Sequence, residues 1–532
     1  MDVFDYIIVG AGSAGCVLAE RLSADGRFRV LLLEAGGSDR RASIRVPIGY
    51  GLTFHDHRVN WRFRAAPDPE LDGREMYWPR GKVLGGSSAI NAMVYCRGLP
   101  GDFDDWAAAG NPGWGASDVA RVFDRVERRL SGDGTETGTG PLSVCDRSEE
   151  YHPLGRHYIA AAREAGFAEG DTVSAEGVGA YWTTTRNGWR HSAADAFLRP
   201  AWRRRNLRVL TGAEVLGVEF DGQRATGVRF RRGGETCVAR CKGDLILSAG
   251  AVKSPQLLQL SGIGPGALLS RLGIAVRRDL PGVGGGLQDH LGMTYTLRCR
   301  EATLNQVLGR RRGQIAAALR YLLGRRGPLS LGVNQMGGLV RSRTGLERAD
   351  MQLYCNPLSY STIHRDRRPL LKPDPWPGFI LGFNPCRPTS RGRIDIDSAD
   401  PTAPPRIAPN SLSTNTDVTD MIAGARLVAR LLDTAQMRRL VEYPSGFNPQ
   451  GQDDDAILAD IRARAATVYH PCGTCRMAPE EDNGVVDPAL RVHGVEGLRV
   501  VDASVFPNIT SANTNAPTIM TAMKAADIIL GA

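Results

Sequence analysis

Hydrophobic positions near the start of the chain follow a strand–helix–strand order. Residues 5–9 (DYIIV) form a short apolar run, small apolar residues recur at helical spacing through 14–22, and a second apolar run at 29–33 ends in Glu34. A short buried run that alternates with a helix-period segment is typical of a β-α-β unit with parallel strands. We therefore predict an α/β domain that includes these residues.

The pattern changes several times further along the chain. Residues 207–230 alternate between apolar and polar with a turn at 221–222, which predicts antiparallel strands. A short buried strand is predicted at 244–248, followed by a helix that begins near Ser254 with Pro255 in its first turn. Together these changes indicate a mixed fold, α+β overall, in which a second domain is inserted into the first α/β domain. Further predicted elements are helices at 314–323, 417–433 and 518–530, a strand at 498–501, and an extended or turn-rich stretch at 369–411.

Length and charge narrow the class of protein. At 532 residues the chain exceeds the size of a single hydrophobic core, so two or three domains are expected. The net charge of +9 lies in short arginine clusters at 203–205, 310–312 and 365–368, without the interleaved aromatic residues of a nucleic-acid surface. We therefore expect no nucleic-acid partner, while an anionic substrate or a peripheral membrane contact stays open. Ten scattered cysteines, no export signal and no long apolar run predict a cytoplasmic protein without a membrane span.

A glycine-rich motif directly follows the first predicted strand. Gly10, Gly12 and Gly15 have the spacing G-x-G-x-x-G, which permits a tight turn, a close approach of backbone to a pyrophosphate, and close packing of helix on strand. The helix N-terminus then faces the phosphates. Glu34 ends the second strand, where a carboxylate accepts hydrogen bonds from a ribose hydroxyl, so FAD or NAD is favoured over NADP. The antiparallel strands at 207–230 favour FAD, because flavin domains use such strands to cover the adenosine.

Three further motifs are candidates for chemistry. Residues 80–91 (RGKVLGGSSAIN) offer backbone N–H groups with little side-chain bulk, able to lie against a flat ring or a phosphate. Residues 250–264 (GAVKSPQLLQLSGIG) combine a turn, a helix and a Ser-Gly break. Residues 470–477 (HPCGTCRM) contain H-x-C-x-x-C, but no fourth zinc ligand has suitable spacing and a proline precedes the first cysteine. We expect neither a metal nor a catalytic dithiol.

These motifs, in this order, resemble the glucose–methanol–choline (GMC) oxidoreductases, a family of flavoenzymes that oxidise alcohols. The resemblance covers essentially the whole chain, and the phrases SADPTAPPRIAPNSLS and VVDASVFPNITSANTNAPT are most similar to the choline-dehydrogenase-like bacterial branch. It implies a Rossmann-like FAD domain of the GMC type with an inserted substrate domain built on an antiparallel sheet and helices. The expected FAD-domain segments are 1–150, 206–296 and 466–532, and the expected substrate-domain segments are 151–205 and 297–465.

The resemblance also implies two catalytic residues at the N5 edge of the flavin. They are His470 and Asn513, with Asn515 as the alternative to Asn513. A neutral imidazole that takes the hydroxyl proton while hydride passes to flavin N5 would oxidise a primary or secondary alcohol to an aldehyde or ketone. His290, in LQDHLG, is expected to be structural. Some family members attach the flavin through a histidine at the position of Ile90, which has no nucleophile, so non-covalent FAD is expected here.

The residues expected to bind FAD come from all of these motifs. The backbone of 91–94 is expected at the flavin ring, Val215 near the adenine, and Asp502 near the ribityl chain and pyrophosphate. The full set is Gly10, Gly12, Ser13, Ala14, Gly15, Glu34, Ala35, Arg80, Val83, Gly85, Gly86, Ser87, Asn91, Ala92, Met93, Val94, Val215, Ala249, Gly250, Asp502, Ala503, Asn513 and Thr514.

Several alternatives stay open from the sequence. The expected partners are a small-molecule alcohol and either O₂ or another electron acceptor, and both a monomer and a dimer are compatible with the pattern. Choline would require an aromatic cage and a carboxylate, and Trp376, Tyr354 and Tyr360 are candidates for the cage. The alternative function is non-redox or photochemical: a lyase or a fatty-acid photodecarboxylase on the same scaffold, for which a base is not a requirement as it is for alcohol oxidation.

Overall fold

Two large sheets of different kinds organise the molecule. A computed structural model describes residues 3–363 and 370–531, so the predicted arginine cluster at 365–368 lies outside the described residues. One sheet is parallel and the other antiparallel, and each lies beside its own hydrophobic core. The predicted mixed α/β fold is confirmed.

The parallel sheet is built from segments far apart in the chain. Its central strands are apolar except for Glu34 at the end of one of them, because helices and loops cover both faces. The sequence prediction was wrong at 207–211, which pairs parallel with Val30–Glu34, although its alternation resembles that of the antiparallel strands after it. The strands, in spatial order, are Leu207–Thr211, Val30–Glu34, Tyr6–Val9, Leu245–Leu247 and Leu498–Val500.

The predicted antiparallel strands form a separate meander. Ala213–Asp221 and Arg224–Arg232 make a hairpin whose turn lies where Gly222 allows a positive φ of 56°. Glu235–Cys241 pairs with the second strand of the hairpin, and Val3–Phe4 adds a short parallel strand at the edge. The alternation in the sequence therefore marks a sheet with one buried face.

The second large sheet is antiparallel throughout. Along its three central strands, apolar side chains that pack in the second hydrophobic core alternate with side chains on the opposite face of the sheet. The proline-rich stretch supplies a central strand, Gly378–Pro385, which fits the prediction that this stretch is extended. In spatial order the strands are Val441–Pro444, Leu291–Cys299, Gly378–Pro385, Met351–Asn356, Met336–Val340 and Gly177–Ala180, and Ala466–Thr467 also pairs with Leu291–Cys299.

Shorter strands complete the described β-structure, and they lie outside the two large sheets. They are Phe63–Arg64, Tyr77–Trp78, Glu127–Leu130, Glu136–Thr137, Leu142–Cys145, Thr185–Arg186, Trp189–Arg190, Ile263–Gly264, Arg278–Asp279, Tyr360–Ile363, Leu370–Pro373, Arg393–Asp395 and Arg406–Ala408.

Helices cover both sheets. Among those described, none is long and apolar enough to cross a bilayer. The described helices are Ser13–Leu22, Ala42–Arg45, Tyr50–Thr53, Pro100–Ala108, Ala116–Val126, Leu154–Glu164, Arg199–Ala201, Gly250–Leu260, Gly266–Arg271, Leu304–Leu308, Arg311–Gly324, Asn415–Asp433, Ala435–Leu440, Asp454–Arg464 and Asn515–Leu530.

Two predicted helix starts were wrong. The helix expected to begin near Ser254 begins at Gly250, which places Pro255 inside it. Proline lacks the N–H that would bind the carbonyl four residues earlier, and that carbonyl, of Ala251, accepts instead from the hydroxyl of Thr474 at 2.7 Å. The closing helix begins at Asn515 rather than at 518, because Pro517 lies in its first turn, where no N–H partner is needed.

The predicted domain boundaries remain predictions. The parallel sheet takes its strands from the three predicted FAD-domain segments. The strand Leu291–Cys299, however, belongs to the antiparallel sheet over its whole length and crosses the predicted boundary between 296 and 297.

Candidate active site

One large cavity lies between the two sheets. It encloses about 2970 Å³ of space between the atoms, including its opening to solvent. The wall at one end comes from the parallel sheet and its glycine-rich turns, and the wall at the other end comes from the antiparallel sheet. The cavity is therefore bounded by residues from both halves of the fold.

The first end of the cavity has the features of a dinucleotide cradle. Gly12 is the N-cap of the helix Ser13–Leu22 and has no side chain to cap it, so the first N–H groups of the helix remain available to an anion. A Cβ on Gly15 would lie 1.8 Å from the carbonyl oxygen of Gly10, so only glycine allows this close packing of helix on strand. A Cβ on Gly86 would lie 2.6 Å from the Cα of Gly12, so the two glycine-rich loops touch. These residues fit a pyrophosphate.

Glu34 lies in the cavity wall at the end of its strand. Its carboxylate accepts the N–H of Ala11 at 2.9 Å and the N–H of Gly36 at 2.7 Å, which fixes its position. Burial raises the pKa of Glu34 to about 7 despite these two bonds. The remaining lone pairs can accept from a ribose hydroxyl.

Asp502 holds the opposite side of the cradle. It accepts the N–H of Gly250 at 2.8 Å and the hydroxyl of Ser254 at 2.6 Å, and so ties the C-terminal loop to the start of the helix Gly250–Leu260. Burial raises the pKa of this carboxyl group. Asp502 therefore stabilises the cradle by fixing the turn at Gly250.

Most residues predicted to bind FAD line the cavity. Gly15, Val83 and Gly85 are not among the lining residues, and their part in FAD binding stays a prediction. Gly15 packs under the turn at Gly10, and Val83 is buried among apolar neighbours one layer behind the wall. Their role in the fold is to bring the two loops together.

His470 and Asn513 meet at the other end of the cavity. The side-chain amide Nδ2 of Asn513 lies 3.0 Å from Nε2 of His470. His290, expected to be only structural, lies directly against this pair: its Nδ1 is 3.0 Å from Nδ1 of His470. Asn515, the alternative to Asn513, instead accepts the hydroxyl of Ser13 at 2.8 Å, at the phosphate end.

The hydrogen bonds determine which ring nitrogen of His470 carries a proton. Nε2 of His290 lies 2.9 Å from the carbonyl oxygen of Cys386, which can only accept, so Nε2 carries the proton. In a neutral His290, Nδ1 is then an acceptor, so Nδ1 of His470 must be the donor in the bond between the rings. The lone pair of His470 therefore lies on Nε2, facing Asn513.

A second chain of hydrogen bonds fixes Asn513. The hydroxyl of Tyr181 donates to the carbonyl of Leu353 at 2.6 Å and accepts from Gln352 at 3.3 Å. The amide of Gln352 also donates to Oδ1 of Asn513 at 3.2 Å, which leaves Nδ2 to face His470. Both chains of hydrogen bonds thus end at His470: one fixes its Nδ1–H, and the other places the amide of Asn513 beside the lone pair on Nε2.

Burial keeps both imidazoles neutral. It lowers the pKa of His470 well below the usual range, and the nearby His290 and Arg80 lower it further. Burial also lowers the pKa of His290 to about 4. The backbone N–H of His470 donates to Asp289 at 2.7 Å, and burial raises the pKa of that carboxyl group to about 6. The site therefore presents an unprotonated base.

Apart from Tyr354, sequence reasoning missed the wall of the cavity that belongs to the antiparallel sheet. In MQLYCN, at 351–356, Gln352, Tyr354 and Asn356 line the cavity while the alternate residues are buried behind them. This period-2 alternation was a usable signal. Tyr354 and Tyr360 line the cavity, as a cage would require, whereas Trp376 does not.

The two cysteines of HPCGTCRM, Cys472 and Cys475, are buried free thiols. Burial raises the pKa of both, so neither resembles an activated thiol. No group of three potential metal ligands occurs within 3–363 and 370–531.

Comparison with known proteins identifies the family. The N-terminal GMC oxidoreductase family model matches residues 4–292, and the C-terminal one matches 388–522. The chain is a GMC oxidoreductase. Members of this family bind FAD, and the cradle described above fits that cofactor, so FAD is the cofactor of this chain.

Relatives resemble the chain over nearly its full length. An alcohol dehydrogenase [acceptor] of Pseudomonas putida is 41% identical over 99% of this chain and 96% of its own. The oxygen-dependent choline dehydrogenase of Photobacterium profundum is 40% identical over 99% of this chain and 93% of its own. Among solved structures, pyridoxine 4-oxidase from Mesorbium loti is 30% identical with a TM-score of 0.87, and 98% of each chain is covered.

Proposed function

We propose that this GMC oxidoreductase oxidises a primary or secondary alcohol to the aldehyde or ketone, with His470 as the base. The observation that carries the proposal is the lone pair on Nε2 of His470, which faces the cavity beside the amide of Asn513. The names of the relatives, alcohol dehydrogenase and choline dehydrogenase, support alcohols as the substrate class.

An alcohol is too weak an acid to ionise at neutral pH, so a base must take its hydroxyl proton as the carbon is oxidised. In our proposal that proton moves to Nε2 of His470, while Nδ1–H stays bonded to His290. Asn513 donates to the developing alkoxide through its amide and cannot compete for the proton. When bound, FAD supplies the two-electron acceptor of the oxidation.

Burial of the pair contributes to its effect. The side chains of His290 and His470 are almost removed from solvent, and hydrogen bonds to developing charge are stronger where water is excluded. The substrate hydroxyl exchanges only the bond between Nδ2 of Asn513 and Nε2 of His470, because the other side of each group is already fixed by its neighbour.

The wall of the antiparallel sheet indicates the polarity of the substrate. Two buried amide oxygens in this wall, Oδ1 of Asn356 and Oδ1 of Asn384, make no hydrogen bond within the described residues. A second hydroxyl or an N–H group on the substrate, besides the hydroxyl that is oxidised, would satisfy them, whereas the trimethylammonium group of choline has no donor. We therefore propose a neutral alcohol rather than choline. The strand residues of this wall are uncharged: Gly292, Thr294, Thr296, Gln352, Tyr354, Asn356, Ile380, Asn384, Ala466 and Thr467.

Anaerobic titration of the purified holoenzyme with a panel of alcohols tests the proposal. We expect at least one alcohol to bleach the visible absorbance of the bound flavin and to yield the matching aldehyde or ketone. If alcohols of every class leave the flavin oxidised, while light and a fatty acid release carbon dioxide, the photochemical alternative replaces our proposal.

A further inference from the structure

The helix Arg311–Gly324 exposes large apolar side chains to solvent. Ile315, Leu319, Leu322 and Leu323 are exposed by 60%, 54%, 65% and 87%. Their spacing places them on one side of the helix, within an arc of about 100°. The buried residues of this helix, Ala317 and Tyr321, belong to the opposite side. The apolar side therefore points away from the protein.

The same segment contains almost all of the net positive charge. Residues 302–346 include eight arginines and no lysine, aspartate or glutamate, so they contribute +8 of the formal +9 of the chain. Six of the eight lie at the two ends of the helix, and none of the six forms an ion pair within the described residues. These six are Arg310, Arg311, Arg312, Arg320, Arg325 and Arg326.

The exposed side is held in place by contacts on the opposite side. The hydroxyl of Tyr321 donates to the carbonyl of Gly188 at 3.0 Å, and its ring packs edge-on against Trp189. The guanidinium of Arg325 lies over the ring of Trp189, 4.4 Å from its centroid. The apolar side is therefore presented by an anchored helix and is ready to bind without folding first.

A basic groove lies beside the exposed leucines. It is lined by Tyr321, Leu322 and Arg325 of the helix segment and by Arg40 and Arg41 of another loop, together with further residues. Its empty space is about 1220 Å³, part of it open to solvent. Guanidinium groups around a groove bind phosphate oxygens well, and the apolar side of the helix next to them can contact acyl chains.

We propose that the helix Arg311–Gly324 docks this protein on the surface of an anionic phospholipid bilayer. The four exposed apolar side chains insert at the boundary between headgroups and acyl chains, and the flanking arginines bind the headgroups. A nucleic acid would leave the leucines exposed, and a symmetric contact with a second copy would bring two arginine clusters together. An anionic bilayer offers both headgroups that bind the arginines and acyl chains that contact the apolar side of the helix.

The docking surface neighbours the wall of the active-site cavity. The preceding helix, Leu304–Leu308, packs with Tyr50, and Tyr50 lines the cavity. A protein docked through this surface would therefore hold one wall of its cavity close to the bilayer.

Vesicle flotation of the purified holoenzyme tests the proposal. We expect it to float with vesicles of phosphatidylcholine and phosphatidylglycerol, to bind pure phosphatidylcholine weakly, and to be released by salt. Each basic side chain near an anionic surface raises partitioning by about fivefold, so loss of three arginines should lower it at least tenfold. The charge variant is Arg310→Gln/Arg311→Gln/Arg312→Gln, and the apolar variant is Ile315→Gln/Leu319→Gln/Leu323→Gln.

A control comes from another exposed cluster that also combines arginines with a large apolar side chain. Trp202, Arg203 and Arg205 are exposed, and Trp202→Gln/Arg203→Gln/Arg205→Gln should float like the wild type. Unchanged FAD content and melting temperature show that the variants are folded. Equal flotation of both test variants and the wild type would overturn the proposal. So would a dimer in solution that the apolar variant dissociates in the absence of any vesicle binding.

Discussion

Replacement of His290 by phenylalanine should slow reduction of the bound FAD by alcohol, although His290 has no proposed contact with substrate. The bond between the two Nδ1 atoms is what confines the proton of His470 to Nδ1. Phenylalanine fills the same space and offers no acceptor. The base would then lose the neighbour that selects its reactive tautomer.

The size of the effect follows from the geometry. Without His290, the Nδ1–H of His470 is a buried donor with no partner, which costs about 1–3 kcal/mol. That range corresponds to roughly 5- to 150-fold in the population of the competent tautomer, and we expect a rate loss within it. His290→Gln, whose amide could donate to Cys386 and accept from His470, should recover part of the rate.

Anaerobic stopped-flow reduction of the flavin measures this rate directly. His493 provides a matched control, because its Nε2 also lies 2.9 Å from a backbone carbonyl, that of Ala478, but it does not contact His470. His493→Phe should reduce its flavin like the wild type. Reduction at the wild-type rate in His290→Phe, with bound FAD retained, would refute the tautomer argument.

Three further predictions follow from the site. Burial lowers the pKa of His290 from its usual 6.5 to about 4, so the unfolded chain takes up this proton first as the pH falls. The free energy of unfolding that neutral His290 contributes is complete above pH 6.5, and about 2 kcal/mol of it is lost by about pH 5. His290→Gln should flatten this loss of stability in thermal melts. An unchanged pH dependence would contradict the assignment. Ile90 offers no nucleophile, so acid precipitation should release all of the flavin, whereas yellow colour retained in the pellet would show a covalent link. Choline should reduce the flavin at least tenfold less efficiently than the best neutral alcohol, because Asn356 and Asn384 need donors; a preference for choline would disprove the proposed substrate class.

The sequence predicted those parts of the fold that depend on local pattern. The β-α-β unit at Tyr6–Val9, Ser13–Leu22 and Val30–Glu34 was found because glycine spacing and hydrophobic period are properties of neighbouring residues. The helix start near Ser254 was misplaced because the compensating hydroxyl of Thr474 comes from a segment more than 200 residues away. Likewise, nothing local distinguishes a parallel partner for 207–211 from an antiparallel one.

The candidate site was likewise predicted only where a local motif carries the information. His470 and Asn513 were predicted from motifs that the chain shares with its family, and the structure brings them to 3.0 Å. The involvement of His290 and Gln352 depends on contacts between distant segments, which no local pattern reports. The polar alternation that contains Gln352 was visible, but not which face of the strand met the cavity.

The most direct test of the account is anaerobic single-turnover reduction of bound FAD by an alcohol in His470→Ala. We predict that the variant keeps its FAD and that reduction slows by about 10²- to 10⁴-fold, because general-base assistance is lost while the cradle is unchanged. A variant that holds FAD and is reduced at nearly the wild-type rate would contradict the assignment of His470 as the base.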